Sequence, residues 1–132
     1  MSRETIEHYF NAFNSGDTDK MLALVSDTVQ HFVNQGEMRE GREKFAEFCS
    51  HMGVSYRESL RDIVIFVTED GSRAAAEFVV HGQYLQTDPG LPEASGQTYV
   101  LPAGSFFSLS DGKITRVTTY YNLQDWITQV SA

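Results

Sequence analysis

Apolar residues recur at helical spacing from the start of the chain. Ile6, Tyr9, Phe10 and Phe13 form one stripe, Ser2 stands ahead of it as an N-cap, and Asn14-Ser15-Gly16 ends the run. Asp17 is placed to cap a second helix through DTDKMLALV, whose apolar edge is Met21, Leu24 and Val25. From Thr28 to Asn34 the period changes to two. Val29, His31 and Val33 fall on one side of an extended segment, and Gln30, Phe32 and Asn34 on the other. Gln35-Gly36 turns the chain into EMREG, a short returning strand. A third helix starts near Arg42, carries the stripe Phe45, Phe48, Cys49 and Met52, and breaks at Gly53.

From Tyr56 onward the pattern is that of long strands. YRESLRDIVIFVTE, the turn Asp70-Gly71 and SRAAAEFVVHGQYLQ predict a hairpin. The loop DPGLPEASG, with Pro89 and Pro92, leads to QTYVLPAGSFFSL, and Ser110-Asp111-Gly112 turns into KITRVTTYYN. LQDWITQV closes the chain as a short helix. This order predicts one α+β domain over residues 1–132, in which three N-terminal helices cover a strongly curved antiparallel β-sheet and a short C-terminal helix follows. Such an arrangement leaves a cone-shaped cavity, the default place for a small ligand.

Composition narrows the partners. The 132 residues are enough to bury about two-thirds of the unfolded chain's surface. Eighteen acidic against ten basic residues give a net charge of −8, and no basic run exceeds one residue, which argues against nucleic acid. Cys49 is the only cysteine, so neither an intrachain disulfide nor a cysteine-based zinc site can form, and it reads as a small apolar residue of its helix. No segment approaches the ~20 apolar residues of a membrane span, so a cytoplasmic location without a membrane anchor is expected.

HYFNAFNSGD, followed by MLALVSD and a strand, together with LPAGSFF and DGKITRV, resembles the ketosteroid isomerase-related and SnoaL-like polyketide cyclase branch of the nuclear transport factor 2 superfamily. The likeness covers nearly the whole chain in order and spacing. It implies the cone fold, which hosts isomerases, cyclases, dehydratases, hydrolases and plain binding modules. For the isomerases it implies a carboxylate base beside a ketone, with the oxyanion held by a tyrosine and a protonated aspartic acid. The family tyrosine matches Tyr9. The base position falls on Val33 and the acid position on Gly104, and neither titrates, so a steroid isomerase with the usual residues is disfavoured.

The same alignment implies which side chains face the cavity. Ala75, Glu77, Val79 and His81 share the pocket side of their strand, with Phe78 and Val80 opposite, and Val117, Thr119 and Tyr121 line it from the last strand. The pocket wall expected on this basis is Val29, Val33, Val79, Gly104, Phe106, Thr119 and Tyr121. The expected catalytic set is Tyr9, His31, Glu77 and His81: a glutamate and a histidine replace the missing carboxylates, and Tyr9 donates to a developing oxyanion. Each has a plain alternative. Tyr9 suits an aromatic stripe and His31 a hydrogen-bonded core position, while strand twist or a bulge at Gly82 turns Glu77 and His81 outward or pairs them structurally.

Two histidines and a glutamate also suit a metal, but no ligand-spacing signature is present, so neither metal nor cofactor is expected. His8 and His51 read as surface or interface groups. The loop from Asp88 to Gly96 suits a lid or an ordinary surface loop. The outer sheet face, with Arg116, Thr118, Tyr120 and Tyr99, is too aromatic for open solvent, and with the resemblance it implies a homodimer. The expected function is a cofactor-independent isomerase or cyclase acting on a hydrophobic, steroid- or polyketide-like carbonyl compound. A non-catalytic small-molecule-binding module is the alternative.

Overall fold

The computed structural model describes residues 1–131, so Ala132 of the expected domain lies outside the described residues. Helices α1 (Ser2–Ser15) and α2 (Thr18–Leu24) precede strands β1 (Val25–Val33) and β2 (Arg39–Glu40). Helix α3 (Arg42–Ser55) leads into β3 (Tyr56–Val67), β4 (Arg73–Tyr84), β5 (Thr98–Ser110), β6 (Lys113–Tyr121) and α4 (Leu123–Ser131). Helix α1 buries Ile6, Tyr9, Phe10 and Ala12 and ends at Gly16, whose φ of 73° is the left-handed conformation that glycine adopts without strain.

Ser2 is not its cap. It lies inside the first turn, and its hydroxyl donates to the Gly71 carbonyl at 2.7 Å, tying α1 to the β3–β4 turn. Asp17 does cap α2, accepting from the Lys20 amide at 3.1 Å. Helix α3 runs past Gly53 to Ser55, because one glycine costs a helix only about 1 kcal/mol, less than tertiary packing contributes.

The six strands form one sheet in the order β2-β1-β6-β5-β4-β3. Its pairings are antiparallel with one exception: β1 runs parallel to β6, with His31 opposite Val117 and Val33 opposite Thr119. The long excursion through α3 and β3 to β5 makes that crossover feasible. A bulge on β3 places Arg61 opposite Val79 and Val64 opposite Glu77, with Asp62 at φ 55°. The extra residue reverses the alternation, so Glu58 and Leu60 share the inner face with Ile63, Ile65 and Val67 beyond it. Strand β4, by contrast, is regular through Gly82.

The core forms between the helices and the concave face. Phe10 packs on Phe78 at 5.4 Å and on Phe107 at 5.9 Å, and Tyr9 meets Phe107 edge-on at 5.5 Å. On β4 the buried set is Ala74, Ala76, Phe78, Val80 and Tyr84. Ala75, Glu77, Val79 and His81 therefore point away from the helices, which corrects the expected phase. The inner choice buries Phe78 and Tyr84 and leaves the Glu77 charge in water, whereas the reverse would bury a carboxylate. Gly104, in register with Glu77, and Phe106 face outward with them. Tyr99 makes the opposite correction: it is 2% exposed and points inward.

The outer face carries Val64, Phe66, Val100, Phe106 and Tyr120, each between 45% and 56% exposed. Among the described residues no helix is long and apolar enough to cross a membrane.

Candidate active site

Two groups of polar side chains face the helices from the inner side of the sheet. The first surrounds His31. β1 presents its imidazole to α3, where it packs against Phe45 at 5.0 Å and Phe48 at 4.5 Å, and its Nδ1 has no hydrogen-bond partner. Burial, assisted by the Arg39 guanidinium that lies 4.8 Å over the Phe48 ring, pushes its pKa down to about 4. His31 is thus neutral at physiological pH.

Tyr9 enters the same interior from α1. Burial, with a smaller contribution from Cys49, holds its pKa well above the usual tyrosine range, and no hydrogen bond anchors its hydroxyl. Burial also pushes the Cys49 thiol up to about 11. Between β5 and β6 the hydroxyls of Ser105 and Thr119 lie 2.7 Å apart and satisfy one another.

The second group centres on Glu58. In the sheet register Glu58 of β3, Gly82 of β4 and Tyr99 of β5 lie side by side. A Cβ at position 82 would fall 2.2 Å from Tyr99 Cζ. Because glycine leaves that space empty, the Tyr99 ring lies across β4 and its hydroxyl donates to Glu58 Oε2 at 2.5 Å. The carboxylate and its donor come from strands that are not neighbours.

Aromatic side chains wall this group. Trp126 of α4 packs on Tyr84 at 4.9 Å, Tyr99 at 6.0 Å and Tyr56 at 6.1 Å, and Tyr56 stacks on Tyr84 at 5.4 Å. The Tyr56 hydroxyl donates to Asp88 Oδ2 at 2.7 Å, and His51 Nε2 meets the same oxygen at 3.1 Å. The Asp88 amide donates to the Tyr84 hydroxyl, which donates to the Pro92 carbonyl. The segment after β4 is therefore fastened over Tyr56 and Tyr84 at several points.

Both carboxylates act on Tyr121. Burial raises its pKa, and the charges of Glu58 and then Asp88 raise it further. Glu58 itself is raised by burial, against a smaller lowering by the hydrogen bond from Tyr99. Tyr99 and Tyr56 are driven up mainly by burial and next by their acidic neighbours, so both are protonated donors at neutral pH. Tyr121 also lines an open groove with Val33, Asn34, Arg39 and Leu123, where the inner face meets solvent.

The interior thus holds Tyr9 from α1, and the inner face of the sheet carries Val29, His31, Val33, Thr119 and Tyr121. Glu77, Val79, His81, Gly104 and Phe106 lie on the other side of the sheet, and neither Glu77 nor His81 is brought to His31. Glu58, Tyr99 and Asp88 with its partners His51 and Tyr56 were not among the candidates read from sequence. One signal for Glu58 existed: Tyr56, Glu58 and Leu60 alternate with Arg57, Ser59 and Arg61, which places a carboxylate in an otherwise apolar set. Among the described residues no three metal-ligating side chains cluster.

Residues 6–117 match the model of the SnoaL-like domain family. The chain is similar in structure to polyketide cyclase candidates from three bacteria. For that of Silicibacter sp. TM1040 the identity is 64%, with 99% of this chain and 96% of the other covered and a TM-score of 0.97. For that of Pseudomonas putida KT2440 it is 57%, with 98% of each chain covered and a TM-score of 0.97. For that of Xanthomonas campestris it is 55%, with 98% and 96% covered and a TM-score of 0.94. No curated protein matches the chain in sequence.

Proposed function

Because this chain belongs to the SnoaL-like family, we propose that it is a cofactor-independent isomerase or cyclase that transfers a proton on a hydrophobic carbonyl compound, steroid- or polyketide-like, held against the inner face of the sheet. One observation carries this reading. The hydroxyls of Tyr9, from α1, and Tyr121, from the inner face of β6, stay protonated at neutral pH and have no hydrogen bond within the chain. Donors that the fold leaves without an acceptor are free to hold a ligand carbonyl oxygen. As that oxygen gains charge on enolisation the same bonds strengthen, which is the condition for catalysis as opposed to plain binding. The aromatic walls suit an apolar ligand body, and the naming of similar structures as polyketide cyclase candidates agrees with that substrate class.

A binding module without chemistry is favoured by one feature: His31, neutral and packed between two phenylalanines, has the surroundings of a core residue. The two readings part on a single assay. An aromatic 1,3-diketone such as benzoylacetone is added in D2O; exchange of its α-proton is followed by NMR, and binding by the fluorescence of Trp126, the chain's one tryptophan. Proton transfer predicts accelerated exchange that Tyr9→Phe slows at least about tenfold while binding persists. Binding without exchange would establish the module instead. We further propose that a second copy of the chain covers the outer sheet face, since five large apolar side chains there are otherwise open to water.

A further inference from the structure

We infer that Glu58 is the carboxylate that takes and returns the substrate proton, and that Tyr99 and Gly82 are the residues that position it. This rests on the proton-transfer reading above and names the base that reading lacks, since Val33 and Gly104 stand where the resemblance places titratable groups.

The geometry selects Glu58 on three counts. It sits on the inner face, in the row of the sheet that holds Gly82 and Tyr99, and Tyr99 packs on Trp126 of α4. Only Oε2 is engaged within the chain, by Tyr99 at 2.5 Å, which leaves Oε1 for a substrate. Among the described residues the carboxyl is paired with no cation, and its residue is half-buried. Asp88, by contrast, is engaged by both Tyr56 and His51. Glu77, the glutamate selected by alignment, is exposed on the opposite face.

The step balances without any further reagent. Glu58 as carboxylate takes a proton from the carbon next to the carbonyl. The C–H electron pair becomes the enolate double bond, and the charge that reaches oxygen is met by the Tyr121 hydroxyl. Glu58, now a carboxylic acid, returns the proton to another carbon of the conjugated system in an isomerisation. In a cyclisation the enolate carbon attacks a second carbonyl, and Glu58 protonates the alkoxide so formed. A desolvated carboxylate is a stronger base than a hydrated one, and the Tyr99 hydrogen bond favours its ionised form against burial and fixes its rotamer. Gly82 makes that bond possible: any side chain there would stand in the space of the Tyr99 ring.

The test uses the full chain, benzoylacetone exchange in D2O and Trp126 fluorescence for binding. Glu58→Gln is expected to slow exchange at least about 100-fold with probe affinity within about threefold. Tyr99→Phe removes a donor to the ionised form, so Glu58 binds its proton more tightly and the acidic limb of the pH–rate profile moves to higher pH. Gly82→Ala displaces the Tyr99 ring and is expected to move the limb likewise, with no additional shift in the double variant. Should Gly82→Ala fail to fold, Tyr99→Phe decides the point, read also by NMR titration of the Glu58 carboxyl carbon. Exchange by the parent chain that survives Glu58→Gln overturns the assignment and leaves proton transfer standing. Binding without exchange by the parent chain overturns proton transfer itself.

Discussion

Asn14 completes the free edge of the sheet at Leu60. Its Nδ2 donates to the Leu60 carbonyl at 2.9 Å and its Oδ1 accepts from the Leu60 amide at 2.8 Å, so one side-chain amide does for this residue what a neighbouring strand would do. The contact anchors the end of α1, the helix that carries Tyr9, to the strand that carries Glu58. Asn14→Ala is expected to destabilise the fold by about 1–2 kcal/mol, the loss of two hydrogen bonds at a site that water partly reaches. Urea unfolding followed by circular dichroism measures it, and an unchanged midpoint would show that water replaces both bonds without loss.

Phe107 is fully buried and touches Tyr9 and Phe10. Phe107→Ala should cost about 3–5 kcal/mol, because the cavity opens where α1 seats on β5 and cannot collapse fully. The same unfolding assay reads it. A loss below about 1 kcal/mol would mean that the helix resettles into the gap.

His31 makes stability depend on pH in a defined window. Its folded pKa of about 4 lies below the unfolded value of 6.5, so between these limits the unfolded chain binds the extra proton more readily than the folded one. Stability contributed by neutral His31 is complete above about pH 6.5 and falls as pH drops towards 4, by on the order of 2–3 kcal/mol. His31→Phe should flatten the slope of unfolding free energy over that interval. Parallel slopes for both chains would exclude His31 as its source.

Cys49 should be a slow thiol. With its pKa pushed up to about 11, its thiolate fraction at pH 8 is about 100-fold below that of an ordinary cysteine. Alkylation by iodoacetamide, followed by mass spectrometry, should be retarded by a similar factor in the folded chain and become normal in urea. Labelling of the folded chain at the unfolded rate would contradict the burial.

The outer face provides a test of association. Phe106→Asp puts a charge among Val64, Phe66 and Tyr120 without touching the inner face, and it should convert a dimer to a monomer in sedimentation equilibrium. A parent chain that sediments as a monomer would refute the proposal directly.

The helical stripe Ile6, Tyr9, Phe10, the cap at Asp17 and the period-two strands from Tyr56 onward are local properties, written in side-chain size and polarity at fixed spacing. They were legible, and with them the α+β order. The ends of elements were less so: Gly53 reads as a breaker but lies within α3, because packing outweighs one glycine's helix penalty. The inward face of β4 was misread for a related reason. Alternation defines two sets of side chains, Ala74-Ala76-Phe78-Val80 and Ala75-Glu77-Val79-His81, and only the total apolar surface each can bury against the helices decides between them.

The sequence alone determined the elements, the class of fold and the place of Tyr9 and His31 on their helix and strand. Tertiary structure alone decided that Glu77 and His81 face away from the interior and that Glu58 meets Tyr99. That contact spans 41 residues and crosses an intervening strand at Gly82, where the deciding feature is an absent side chain. No spacing rule records it, because the space exists only once three strands lie in register.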